Sequence, residues 1–239
     1  MSQIIHGDCL QVMKSLPDGC VNAIVTDPPY CSGGFTETER RSAPGQGLRS
    51  ETLRDVGWFT GDQMGSVGLG YLLRAVAFEG IRLLAGGGSM LFFTDWRMLP
   101  HLVPAIESSG VRYQNLVVWM KPSAGLGNGF RAQHECILHF TAGRAEYYDK
   151  GTGNVLKSKR INADTRRHQT EKPTELLETL IKVVCPPGGV VLDPFGGSGS
   201  TAIAAESAGR TAICIERNGS HCETAEQRLT NEVQTGLFL

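Results

Sequence analysis

Short apolar runs rich in β-branched residues alternate along the chain with stretches whose apolar residues recur at helical spacing. The runs predict strands at Val21–Thr26, Ser89–Thr94, Tyr113–Met120, Cys136–Thr141, Gly189–Leu192 and Thr211–Ile215. The helical spacing predicts helices at Leu69–Leu84, Arg97–Ser108, Pro173–Val184, Thr201–Ala208 and Gly219–Thr230. This alternation indicates an α/β domain with a mainly parallel sheet that helices cover on both faces.

Two polar stretches without clear periodicity interrupt the pattern. Residues 31–68 are rich in Gly, Ser, Thr and Arg and predict a loop insertion after the first strand. Residues 142–169 are polar and irregular, which predicts a second, shorter insertion. Because 239 residues suffice for one sizeable α/β domain, we predict a single domain over residues 1–239.

Composition excludes several classes of protein. The apolar runs are far too short to span a bilayer, and the N-terminus has neither a basic region nor a long apolar core, so we expect a cytoplasmic protein without a signal peptide. The seven cysteines are scattered and include no C-x-x-C pair. We therefore expect reduced, mostly buried thiols and no metal site.

Charge alone does not indicate a nucleic-acid partner, because the formal net charge is −1. The distribution of charge is more informative, since residues 144–172 hold eight basic residues against four acidic ones. A second basic group, Arg40, Arg41, Arg49 and Arg54, lies in the first insertion. Each group is compatible with a solvated loop or with a surface that binds phosphates.

A glycine-rich turn follows the predicted strand at Gly189–Leu192 and precedes a helix, in the sequence Asp193-Pro-Phe-Gly-Gly-Ser-Gly199. Glycines let the backbone approach a ligand closely, and the next helix N-terminus favours a negative group. Glu216 ends the following strand, where an acid can accept hydrogen bonds from ribose hydroxyls. The unit predicts a site for an adenosine-containing ligand. A nicotinamide cofactor is disfavoured because the spacing is not G-x-G-x-x-G.

The tetrapeptide Asp27-Pro28-Pro29-Tyr30 directly follows a predicted buried strand. The exocyclic amine of a nucleobase is a poor nucleophile, because its lone pair is delocalised into the ring. The Asp27 carboxylate and the Pro28 carbonyl could accept its two hydrogens, and the prolines would keep both acceptors rigid. Tyr30 could stack on a base that has left its helix. A proline turn that merely ends a strand is the alternative interpretation.

Together, the two segments resemble the amino-methyltransferases of DNA, in the group where the catalytic segment precedes the cofactor segment. The resemblance covers nearly the whole chain and also includes Glu171-Lys172-Pro173-Thr174. It implies a Rossmann-like, S-adenosylmethionine-dependent methyltransferase fold: α/β, with a seven-stranded, mostly parallel sheet that has one reversed strand and helices on both faces. It also implies DNA as the substrate, base flipping and, in many members, a homodimer.

The resemblance implies roles for individual residues. The catalytic segment is Asp27, Pro28, Pro29 and Tyr30. The residues expected to bind S-adenosylmethionine are Asp8, Lys172, Thr174, Asp193, Phe195, Gly196, Gly197, Ser198, Gly199 and Glu216. Residues 142–169 match the target-recognition segment, and residues 31–68 match a loop that covers the target base. The residues expected to contact DNA are Arg40, Arg41, Arg49, Lys157, Lys159, Arg160, Arg166 and Arg167.

Asp at the head of the tetrapeptide favours N6 of adenine as the methyl acceptor, and N4 of cytosine is the nearest alternative. A non-catalytic regulator that binds S-adenosylmethionine and DNA is an alternative of another class. Asp27 argues against it, because the acceptor that the chemistry needs is present.

Overall fold

The structure is a computed structural model that describes residues 1–29, 65–125, 128–158 and 172–234. Eight strands lie in these ranges: β1 (Gln3–His6), β2 (Val21–Thr26), β3 (Leu84–Thr94), β4 (Arg112–Met120), β5 (His134–Gly143), β6 (Val155–Lys157), β7 (Val190–Asp193) and β8 (Thr211–Glu216). The α-helices are α1 (Cys9–Ser15), α2 (Ser66–Leu83), α3 (Leu99–Glu107), α4 (Thr174–Val184), α5 (Ser200–Ser207) and α6 (Gly219–Gln234). A 3-10 turn, Trp96–Met98, precedes α3.

All eight strands form one sheet in the order β1-β8-β7-β2-β3-β5-β4-β6. β5 runs antiparallel to both of its neighbours, and the other pairs are parallel. The predicted α/β class, the mostly parallel sheet and the single reversed strand are therefore confirmed. The sequence of the central strands also explains their burial, because strands covered on both faces are continuously apolar.

Side chains alternate between two cores along the central strands. Ile24 of β2 packs with α1, α2 and α3 on one face of the sheet, whereas Ala23 and Val25 pack with α4 and α5 on the other. α5 is rich in alanine, so it can lie close to the sheet, and its Ala202, Ala204 and Ala205 are buried there. Helices thus cover both faces of the sheet, so a ligand site is expected at the ends of the strands.

The number of strands was predicted wrongly. The sheet has eight strands instead of the predicted seven, and the additional strand is β6. It lies inside residues 142–169, which were predicted to be irregular. It pairs with the outer edge of β4, where Val118 N donates a 2.8 Å hydrogen bond to Asn154 O. Three residues with two apolar side chains are too few to produce a detectable alternation.

Several boundaries also differ from the prediction. β1 and α1 were not predicted at all. α2 begins at Ser66, so the insertion predicted for residues 31–68 overlaps its first turn. Residues 142 and 143 belong to β5, and Gly86–Gly88 lie inside β3 instead of ending a helix. Pro173 precedes α4 instead of lying in its first turn. In the part of the chain that the structure describes, none of the helices combines the length and hydropathy that a bilayer crossing requires.

Candidate active site

The two predicted segments meet at the carboxyl edge of the sheet. β2 and β7 are parallel neighbours, with Ile24 opposite Leu192, so Asp27 and the turn after Asp193 leave the sheet side by side. β8 and β1 end at the same edge, which adds Glu216 and Asp8. In open α/β sheets ligands bind in the crevice outside the carboxyl ends of the strands. The topology therefore gathers at one edge residues that are up to about 200 positions apart in the sequence.

Asp193 joins the two segments through its carboxylate. Thr26 Oγ1 donates to Oδ1 at 2.6 Å, and Phe195 N donates to the same oxygen at 3.0 Å. Thr201 Oγ1 of α5 donates to Oδ2 at 2.6 Å. The side chain is buried, and burial raises the pKa of Asp193 to about 6, even though these hydrogen bonds act in the opposite direction. Asp193 thus positions the turn, because its two oxygens accept hydrogen bonds from β2, from the turn itself and from α5.

This raised pKa predicts an unusual pH dependence of stability. Between about pH 4 and 6 the folded carboxyl keeps a proton that the unfolded chain releases, so the contribution of Asp193 to stability falls as the pH rises. We expect wild-type stability, measured relative to Asp193→Asn, to fall by about 1–3 kcal/mol between pH 4.5 and 7 in urea unfolding. A difference in unfolding free energy between the two proteins that stays constant across that pH range would contradict the prediction. Asp149→Asn is the control, because hydrogen bonds from Gly151 and Thr152 lower the pKa of Asp149, which places its titration below the range.

Glycine is required at two positions of the turn. Gly199 has a φ of +82°, and a Cβ there would lie 2.8 Å from Ala225 Cβ of α6. A Cβ on Gly196 would lie 2.8 Å from Cys214 Cβ of β8. Gly196 N also donates a 2.8 Å hydrogen bond to Ile215 O, which ties the turn to the end of β8. The turn is therefore pressed between β8 and α6, and its conformation depends on the missing side chains.

Glu216 contacts the turn directly. Gly197 N donates to its Oε2 at 2.9 Å, and Asn218 N donates to its Oε1 at 2.7 Å. Asp8 lies at the end of the neighbouring strand β1 and caps α1, because its carboxylate accepts hydrogen bonds from Leu10 N and Gln11 N. The structure thus places Glu216 on the turn and Asp8 at the same edge of the sheet, and it also gives each of them a local structural partner.

Arg228 of α6 is a buried residue of the site that the sequence analysis missed. Its Nη1 donates to Ser198 O at 2.7 Å, to Ser198 Oγ at 2.9 Å and to Ser200 Oγ at 3.3 Å. Ser198 is itself buried. A guanidinium in this position holds the turn from the side of α6 and contributes positive charge beside the helix N-terminus.

Lys172 lies against the catalytic segment. Its ammonium contacts Asp27 Oδ2, lies 3.5 Å from Glu135 Oε2 and sits 5.2 Å from the centre of the Phe93 ring. Burial acts to lower the pKa of Lys172, but the carboxylates of Asp27 and Glu135 outweigh it, so the pKa is raised and the group stays charged. Thr174, the other residue predicted from this segment, is the first residue of α4.

The catalytic segment is described as far as Pro29. Pro28 is buried and Asp27 is half-buried, so the prolines hold the acid at the rim of the sheet. Lys157, predicted to contact DNA, ends β6 at this same edge and is exposed. Several predicted residues lie outside the described ranges: Tyr30, Arg40, Arg41, Arg49, Lys159, Arg160, Arg166 and Arg167. Within those ranges no three His, Cys, Asp or Glu side chains are grouped closely enough to hold a metal ion.

Glu135 and Lys121 also belong to the site and were not predicted. Burial acts to raise the pKa of Glu135, but Lys172 and Lys121 outweigh it and lower the pKa. A sequence signal existed for Glu135, because it directly precedes a predicted strand. The amino end of an antiparallel strand lies at the same edge as the carboxyl ends of its neighbours.

A mainly parallel sheet that carries the Asp27-Pro28-Pro29 segment and a glycine turn side by side at its carboxyl edge defines a Rossmann-like protein that binds a nucleotide-type ligand. A family model described as DNA methylase, covering N6 and N4 amino-methyltransferases, matches residues 21–227. The chain belongs to this family and is a DNA methyltransferase, which confirms the predicted resemblance.

Individual relatives agree with this assignment. "Putative methylase YubD" of Escherichia coli strain K12 is 31% identical over 229 residues, which span 96% of this chain and 90% of that protein. The crystal structure of an M1.HpyAVI–SAM complex has a TM-score of 0.67 at 22% identity and covers 95% of this chain and 100% of that one. PvuII DNA methyltransferase, described as cytosine-N4-specific, has a TM-score of 0.72 at 16% identity, over 99% and 91% of the two chains. At these identities the two solved structures support the fold.

Proposed function

We propose that this protein transfers a methyl group from S-adenosylmethionine to the N6 amino group of adenine in DNA. One observation carries the proposal. Asp27, immediately after β2, is fixed beside the glycine turn after β7 through the bond from Thr26 to Asp193. An acceptor for an amine and a turn suited to an amino-acid moiety therefore lie next to each other, as methyl transfer between them requires.

The residues of the turn fit S-adenosylmethionine. A Cβ on Gly197 would meet no atom within 4 Å, so the backbone is open to a ligand on that side. The N-terminus of α5 and the buried Arg228 favour a carboxylate at the turn. Glu216 provides the acceptor for ribose hydroxyls, and Asp8 lies at the end of the adjacent strand, where the adenine of the cofactor would contact it. When bound, the cofactor supplies a methyl group activated by the sulfonium charge.

The protein's own task is to make the target amine nucleophilic. The Asp27 carboxylate and the Pro28 carbonyl accept the two hydrogens of the amino group, which localises the nitrogen lone pair toward the methyl group. Bound S-adenosylmethionine would supply the methyl group and leave as the neutral thioether, and the methylated nitrogen would have to lose a proton. The Asp27 carboxylate is the acceptor for that proton, since it already binds the N–H.

Contacts to DNA are proposed on the same edge of the sheet. Lys157 is exposed at the end of β6, which is an edge strand, whereas Asp27 follows the central strand β2. The remaining basic residues of the recognition segment, Lys159, Arg160, Arg166 and Arg167, follow Lys157 in the sequence, and their charges suit them to contact phosphates. Arg40, Arg41 and Arg49 follow the catalytic segment, and Tyr30 stacks on the flipped base.

Analysis of the methylated nucleosides tests the choice of base. DNA of diverse sequence is incubated with the purified protein and S-adenosylmethionine, then digested to nucleosides and analysed by mass spectrometry. We expect N6-methyladenosine in its deoxy form, because Asp leads the tetrapeptide. N4-methylcytosine alone would overturn the choice of adenine and leave the class of enzyme intact. Omission of S-adenosylmethionine is the control for methylation already present.

A further inference from the structure

Four charged side chains of alternating sign form a row at the carboxyl edge of the sheet. Lys121 Nζ contacts Glu135 Oε1, Glu135 Oε2 lies 3.5 Å from Lys172 Nζ, and Lys172 Nζ contacts Asp27 Oδ2. The exposed fractions of these side chains are 11% for Lys121, 19% for Glu135, 7% for Lys172 and 22% for Asp27. The row is therefore largely shielded from water, and it ends on the carboxylate that receives the target amine.

Stability alone is a poor explanation for such a row. Removing four charges from water carries a desolvation penalty that their mutual attraction roughly cancels, and apolar side chains of similar size would stabilise the same volume at least as well. Buried charges of this kind are retained more readily where they serve a site.

The position of Lys172 depends on the carboxylates on either side of it. A lysine side chain has many rotamers, and Lys172 lies two residues before α4 begins. By contrast, Glu135 is inside β5, opposite Trp119 of β4 in the sheet register, so its backbone is fixed. Lys121 follows β4 and fixes one oxygen of Glu135, which leaves the other directed to Lys172. Glu135 is the rigid member of the row.

We propose that Glu135 is a positioning residue for methyl transfer, which acts through Lys172 to hold the Asp27 carboxylate in the orientation that receives the target amine. This inference rests on the proposed function of Asp27. Glu135 anchors the ammonium of Lys172 from the side opposite Asp27 while that ammonium contacts Asp27 Oδ2, so the orientation of the Asp27 carboxylate is fixed. Without the charge of Glu135, the ammonium loses this anchor, and the Asp27 carboxylate can turn away from the orientation that receives the amine.

The variant Glu135→Gln tests this, because it removes the charge and keeps the shape. We expect the single-turnover rate of methyl transfer to fall by about 10- to 100-fold, the range expected for a small displacement of a catalytic group. The Kd for S-adenosylmethionine, measured by calorimetry, should stay within about twofold, since Glu135 lies on β5, three strands away from β7, which the glycine turn follows. Glu178→Gln is the matched control, because Glu178 pairs with Lys182 at 3.3 Å on the outer face of α4.

A double-mutant cycle separates positioning from a purely structural role. If Glu135 acts through Asp27, then Glu135→Gln should cause little further loss in an Asp27→Asn background. Glu135→Asp, which keeps the charge, should recover part of the rate. The proposal is overturned by an unchanged rate in Glu135→Gln, by a loss that persists undiminished in the Asp27→Asn background, by no recovery in Glu135→Asp, or by an equal loss of cofactor affinity. The methylated base made by the wild-type protein is identified first, by nucleoside analysis. A base other than adenine overturns the choice of adenine. The ratio of the wild-type rate to the Glu135→Gln rate, measured on that base, still decides the role of Glu135.

Discussion

Replacing Asp27 by alanine should reduce methyl transfer to DNA by about 10³-fold or more, while binding of S-adenosylmethionine stays near the wild-type level. The reason is that, in the proposed mechanism, the carboxylate is one of the two acceptors that make the amine nucleophilic, and it also receives the departing proton. Asp27 is joined to the glycine turn through its neighbour Thr26, which donates to Asp193, so removing the Asp27 side chain leaves this link in place. A loss confined to the chemical step is therefore the expected signature.

The fold should survive this substitution. Lys172 loses one carboxylate but keeps the contact with Glu135, so the cost should be below the roughly 3–5 kcal/mol that accompanies an uncompensated buried charge. Single-turnover transfer, cofactor calorimetry and thermal melting measure the three quantities separately. Asp18→Ala is the matched control, because Asp18 also pairs with a basic residue, Arg82, but near the opposite end of β2. Full-rate transfer by a folded Asp27→Ala protein would refute the mechanism.

The parts of the site that could be predicted from sequence are those with a compact local signal. The segment after β2 and the turn after β7 are short runs of prolines and glycines, each attached to an apolar strand. Parallel order then places them at one edge of the sheet without any further information. Glu216 was found in the same way, since it ends the strand that follows the turn.

The parts that escaped prediction depend on contacts between distant segments. Lys121 and Glu135 lie 51 and 37 positions before Lys172, which they join only in the folded protein, and nothing in the local sequence of Lys121 distinguishes it from a surface charge. Arg228 lies in a polar terminal helix, where an exposed arginine is the ordinary expectation, and it becomes part of the site only because α6 packs beside the glycine turn. β1 and β6 have four and three residues, which is too short for periodicity to reveal them.

Gly199→Ala should weaken S-adenosylmethionine binding by about 100-fold. A Cβ at this position would lie 2.8 Å from Ala225 Cβ, and α6 cannot yield easily, because its Ala225 is buried against the turn. The turn must therefore shift away from the position that the cofactor needs. Loss of two hydrogen bonds between turn and cofactor, at about 1.5 kcal/mol each, corresponds to the expected change in affinity.

The same substitution should also destabilise the protein. The left-handed conformation of Gly199 costs an alanine about 1–2 kcal/mol, and overpacking against α6 adds about 1–3 kcal/mol. Gly209→Ala separates these effects, because Gly209 has a φ of +70° but a Cβ there meets no atom within 4 Å, and it lies at the opposite end of α5. That control should show the conformational penalty alone and bind the cofactor normally. Equal cofactor affinity in the two variants, measured by calorimetry, would mean that the turn tolerates displacement and that its contact with α6 does not determine binding.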